Sequence, residues 1–175
     1  MSAPVLALDK MMRSLTEKDR AALRALAPVH MVDQFDAAAS HVERLFKGMG
    51  ANMKATIGGI DFPNVPDWLR LTLVDTWAGF IEGTIDTCQH APRIDRPEPV
   101  VSAVWRPGLI VCAHCIHLTK ATGASDLTCD RCGRVCAGLD HGEGIHHPCS
   151  LTFGPLVYFF GLCPDCMTEH NEVMP

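Results

Sequence analysis

The first 87 residues of this 175-residue chain contain no cysteine, and all nine cysteines lie at or after Cys88. A long hydrophobic run is missing as well. The longest apolar stretch, Leu156–Leu162, falls far short of the ~20 residues that span a bilayer. The opening M-S-A-P-V-L-A-L-D-K meets Asp9 almost at once, which argues against a secretory leader. No membrane partner is expected. Excess basic charge is also absent. The net charge is −5, with nine basic against eleven acidic side chains before residue 88 and six against nine after it. A broad electrostatic footprint for nucleic acid is therefore lacking, which leaves room only for a local patch. The odd cysteine count, the missing leader and three C-x-x-C pairs argue against a disulfide scaffold. These absences together predict a cytoplasmic protein whose thiols are reduced and metal-loaded.

Apolar residues make up 47% of the sequence, enough for a real core. Residues 1–87 read as helical. Ser14 or Thr16 can cap a helix through Leu26, with Glu17 and Asp19 in its first turn, and Pro28 ends it. A second helix carries Val32, Phe35, Ala39, Val42 and Phe46 as one apolar stripe, weakened at Gly48 and Gly50. G-G-I-D-F-P-N-V-P (58–66) is a loop, and Pro66 suits the start of a third helix. Leu69, Leu73, Trp77, Phe80 and Thr84 share a face of that helix, widened by Val74, Ile81 and Ile85. Three such helices can bury their stripes as a small bundle.

Four prolines between 91 and 108 surround V-V-S-A-V-W and predict a strand held between stiff turns. Leu109–Val111 and Leu156–Leu162 are further strand candidates, the latter leading straight into C-P-D-C. The expected class is α+β, with a three-helix bundle over 1–87 and a zinc-stapled, β-ribbon-rich domain over 88–175.

A C-x-x-C turn places two thiolates where both can bind one tetrahedral zinc at about 2.3 Å. Three occur, Cys112/Cys115, Cys129/Cys132 and Cys163/Cys166, and Cys88-x-His90 makes a fourth pair. Gly133 supplies the left-handed residue a knuckle needs after its second cysteine. Four pairs make two sites. Chain order gives Cys88, His90, Cys112 and Cys115 for one and Cys129, Cys132, Cys163 and Cys166 for the other, hence two Zn2+ ions. Pairing Cys112/Cys115 with Cys129/Cys132, 13 residues apart, and a cross-braced alternative remain open. Cys136, Cys149, His141, His146 and His147 are left over for a third site or as bystanders. A thioredoxin-like redox motif does not fit, because three pairs in a Pro-broken segment are not one pair at a helix start in a βαβ unit.

At module level, Cys88–Cys166 resembles zinc-ribbon and treble-clef proteins in its C-x-x-C-G turn and ribbon strand. Cys129-x-x-Cys132, Asp140-His141 and Cys163-x-x-Cys166 are also similar to the zinc-stapled HNH nucleases. That resemblance would make His141 a general base and Asp140 a ligand of a catalytic divalent ion. It departs at the central Asn, since none lies between His141 and Cys163. His141-Gly-Glu143 is similar to the H-x-E of zinc deaminases, but Gly142 and Gly144 flank the Glu and Leu162 replaces the Pro before the cysteine pair.

The expectation is a non-catalytic, regulatory zinc protein that recognises another protein, with a component of a transcription or other nucleic-acid machine as one candidate. Trp105, Phe153, Tyr158, Phe159 and Phe160 are its candidate contacts. An HNH-type nuclease and a redox-sensing zinc switch are the alternatives.

Overall fold

A computed structural model describes residues 1–53, 60–90, 92–136 and 146–173, without side-chain detail at 49–53, 146–148 and 171–173. The class is α+β, with helices first and a strand-rich region after. The three expected helices form as α2 (Glu17–Leu26), α3 (Val29–Met53) and α4 (Asp67–Glu82). Thr16 caps α2 through a full capping box. Its Oγ1 accepts from the Asp19 N–H at 3.2 Å, and Asp19 Oδ2 accepts from the Thr16 N–H at 2.9 Å. Helix α3 runs on through Gly48 and Gly50. Gly83, at φ 68°, closes α4 by donating to the Phe80 carbonyl, so Thr84 and Ile85 lie beyond the helix.

Helix α1 (Ala3–Ser14) was not expected from the sequence. It packs on α4 through buried Val5 and Asp9. Asp9 Oδ1 accepts from Arg70 Nε at 2.7 Å, and Arg70 also donates to the Val65 carbonyl and to Asp67. Each buried charge is thus paired and hydrogen-bonded, the condition under which burial is tolerable.

The sheet runs β1 (Asp86–Thr87), β3 (Leu109–Cys112), β2 (Val100–Ala103), β5 (Leu156–Leu162), β4 (His146–Phe153) in spatial order. Strands β2 and β5 are parallel, while β2–β3 and β4–β5 are antiparallel. Pro148 stands in edge strand β4, where the register shifts between His146 and Cys149, a place that tolerates a missing N–H.

Strand alternation sends side chains to two faces. On one face Val100, Ile110, Leu156, Tyr158, Phe160 and Leu162 meet Leu69 and Leu73 of α4. Each fully buried leucine there contributes roughly 1.5–3 kcal/mol. The Tyr158 hydroxyl shares a 3.4 Å hydrogen bond with Thr76 on the same helix. On the other face Val101, Ala103, Val111 and Phe159 pack with Trp105, Leu109 and Val157.

The β4–β5 hairpin turns at Gly154, whose φ is 56°. A Cβ there would lie 2.6 Å from Phe35 of α3. Gly154→Ala is expected to cost about 1–2 kcal/mol from the left-handed backbone alone, with more from displacing the ring. Chemical denaturation of the metal-loaded variant measures it, and an unchanged midpoint would contradict the contact.

Candidate metal centres

The structure brings the eight predicted residues into two groups in chain order. Cys88, His90, Cys112 and Cys115 form one, and Cys129, Cys132, Cys163 and Cys166 form the other. Within each group all ligand atoms lie within 4.8 Å of one another. Neither the ribbon pairing of Cys112/Cys115 with Cys129/Cys132 nor a cross-brace matches these groups.

The first centre sits at the end of β1 and β3. Cys88 follows β1 directly, Cys112 closes β3, and Cys115 lies in the 3-10 segment Ala113–Thr119. His90 Nδ1 is 3.2 Å from Cys115 Sγ and 3.5 Å from Cys112 Sγ. The Cys112 N–H points at Cys88 Sγ, 3.4 Å away. Burial works to raise the Cys88 thiol, but N–H donation from Cys112 and His90 outweighs it and brings the thiol down to about 7. Cys115 is pushed up to about 11 by burial and by the neighbouring Cys112 and Cys88.

The second centre joins a knuckle to the start of α5 (Pro164–Val173). Gly133 takes φ 73°, as the C-x-x-C-G turn requires, and its N–H donates to the Cys129 carbonyl at 2.8 Å. The knuckle is hung on β5 by Asp130. Its backbone N–H donates to the Gly161 carbonyl at 2.9 Å, and its carboxylate accepts from the Gly161 N–H at 2.6 Å. Burial holds that carboxyl at about 6. Two exposed ion pairs, Arg134–Asp165 and Arg131–Glu169, reach from the knuckle to α5, each worth at most about 1 kcal/mol. Cys163 precedes Pro164, the first residue of α5, and Cys166 lies in the first turn, where the helix dipole favours thiolates.

Burial tends to raise Cys129, but N–H donation from Cys163, Cys132 and Arg131 lowers it to about 7. Burial and the three crowded sulfurs drive Cys166 far above its usual range. Four thiolates this close repel one another unless a cation sits between them. Cys132 Sγ and Cys163 Sγ are 3.9 Å apart, well beyond the ~2.05 Å of a disulfide. A tetrahedral metal with bonds of about 2.0–2.3 Å sets its ligands roughly 3.5–3.8 Å apart. Both groups fit such an ion.

Each centre belongs to one face of the sheet. Cys129, Cys163 and Cys166 are part of the cluster under α4, and Cys88, Cys112 and Cys115 are part of the opposite cluster.

Cys136 is buried beside the second centre, and its backbone N–H donates to the Leu127 carbonyl at 2.8 Å. Burial pushes the half-buried Cys149 thiol up to about 12. The nuclease pair Asp140 and His141 lies outside the described residues, as do the His146 and His147 side chains that a third site would need. The backbone of His146-His147 is in β4. Among the aromatic contact candidates, Tyr158, Phe159 and Phe160 are core residues, and Trp105 and Phe153 are partly buried against the two clusters. Strand alternation across a sheet covered on both faces took them inward. Asp130 was missed because its role depends on Gly161, 31 residues away; a carboxylate inside the knuckle was the available signal.

No protein-family model, curated protein or solved structure matches this chain. Among the described residues, no helix is long and apolar enough to cross a membrane.

Proposed function

We propose that the protein is a structural zinc protein of the cytoplasm that acts by recognising another protein. The observation carrying this reading is the pair of closed four-ligand sets, one of three cysteines and a histidine and one of four cysteines. Such sulfur-rich sets suit zinc and leave no open position for a substrate or an activated water, whereas catalytic zinc keeps one. The knuckle, β4–β5 hairpin and ligand-bearing α5 follow one another as in a treble clef, which supports that resemblance for the second centre.

A protein partner is favoured by the acidic balance and by the corner between α2 and α3. Helix α2 buries none of its residues. Leu23, Leu26 and Val29 are 52%, 83% and 74% exposed. Helix α2 reaches α3 through the exposed Arg24–Asp36 ion pair. Large apolar side chains gathered at one corner are the composition of a recognition surface.

Two measurements test the reading. Elemental analysis of the purified chain is expected to give two zinc ions. Leu23→Asp with Leu26→Asp should leave metal content intact and stability within about 0.5 kcal/mol, while abolishing retention of any protein that co-purifies with the wild type. Retention unaffected by the double variant would remove this corner from the proposal.

A further inference from the structure

We infer that Cys132 is a modification site, the first thiol of this protein that a hydroperoxide oxidises, and that the two metal centres therefore differ in their response to oxidants. The inference rests on the reading that both centres hold metal.

The two ligand sets are alike in burial but not in chemistry. In each, the second ligand in chain order faces solvent and the other three are buried. In the first centre that outward ligand is His90, an imidazole, which hydroperoxides leave intact at doses that oxidise thiolates. In the second it is Cys132, a sulfur. Of the nine cysteines, seven are buried, Cys149 is half-buried and Cys132 alone is exposed. Susceptibility to peroxide follows thiolate character and access. Access therefore separates Cys132 from the eight other thiols. A partner for the second step is already in place, because Cys163 Sγ lies 3.9 Å from Cys132 Sγ.

The chemistry balances with a hydroperoxide as the only added reactant. The Cys132 sulfur attacks the peroxide oxygen, an S–O bond forms, the O–O bond breaks, and the departing alkoxide or hydroxide takes a proton. Cys163 then attacks the Cys132 sulfur. An S–S bond forms, the S–O bond breaks, and hydroxide leaves as water. Two thiols are oxidised to one disulfide and one peroxide is reduced. Only two sulfurs of the set then remain as thiolates, and the second centre loses its metal. The first centre, with no exposed sulfur, keeps its own.

The test uses the full metal-loaded chain, hydrogen peroxide, a chromogenic chelator to follow release, and peptide mapping after alkylation. The expected result is an early phase releasing one metal ion per chain. It should coincide with a Cys132–Cys163 disulfide while Cys88, Cys112 and Cys115 stay reduced, and a thiol reductant with added metal should reverse it. Cys132→His keeps four ligands and should slow the early phase by roughly ten-fold or more, since it removes the accessible thiolate. Should that variant not retain two ions, the disulfide map of the wild-type chain decides alone. Release of both ions in one phase, release from the first centre first, or an early disulfide that omits Cys132 or Cys163 would overturn the inference. A chain purified without metal fails the zinc reading instead, so the two failures are distinguishable.

Discussion

Stripping the metal from the purified chain is expected to unfold the sheet and not merely to vacate two sites. Each centre lies in a different hydrophobic cluster, one on each face of the same five strands. Strand β3 ends in the candidate ligand Cys112, and β5 leads directly into Cys163. Losing the ions would leave crowded, buried thiolates where the faces now close. A structural zinc contributes on the order of 10–16 kcal/mol of apparent binding free energy, while a whole domain is stable by only ~5–15 kcal/mol. Removing both ions together therefore exceeds what the remaining packing can hold. Dialysis against a strong chelator, followed by near-ultraviolet circular dichroism and tryptophan emission from Trp68, Trp77 and Trp105, provides the measurement. Cys112→Ala and Cys163→Ala should each reproduce the loss for one centre. A metal-free chain with an unchanged melting temperature would show that the clusters hold the fold without ions.

Phe160→Ala is expected to lower stability by about 3–5 kcal/mol with metal present. Phe160 is 1% exposed at the centre of β5. Its ring meets Trp68 edge-on at 5.7 Å and His170 at 5.3 Å. Such ring pairs add about 0.5–1.5 kcal/mol beyond the buried area. The substitution opens a cavity where α4, β5 and α5 converge, and none of the three can collapse into it without moving the others. For a chain of this size the melting temperature should fall by roughly 6–20 °C. Differential scanning calorimetry at saturating metal reads the change. A fall of only a few degrees would mean that α4 is free to close over the gap.

The sequence made local features legible and left distant ones dark. Knuckle chemistry is local, since C-x-x-C and Gly133 fix a turn within a single short stretch of chain. Sequential pairing followed from the strand that feeds Cys163. A cap at Ser14 or Thr16 for α2, of which Thr16 is the one that forms, and strands β3 and β5 were readable for the same reason. Helix α1 was missed because its stabilising partner, Arg70, lies 61 residues from Asp9. Strand β4 was hidden by Pro148, because proline argues against a strand unless that strand is an edge with a register shift. The aromatic residues of β5 looked like contacts because nothing local reveals that α4 packs on one face of that strand while Phe159 joins Val101, Ala103 and Val111 in a second cluster on the other.

The strand order carries a consequence for the order of assembly. Strand β5 lies between β2 and β4, yet it is synthesised more than fifty residues after β2, its parallel neighbour. While the ribosome is still adding those residues, Val100 and Val101 have no strand to pair with on that side. All four ligands of the first centre are already present by Cys115. With a metal ion bound, that centre would hold β1 and β3 together as a nucleus, with β2 available to join. The second centre waits for Cys163 and Cys166. Its closure is then the event that locks the late central strand into place, a non-local step of the kind that makes folding slow.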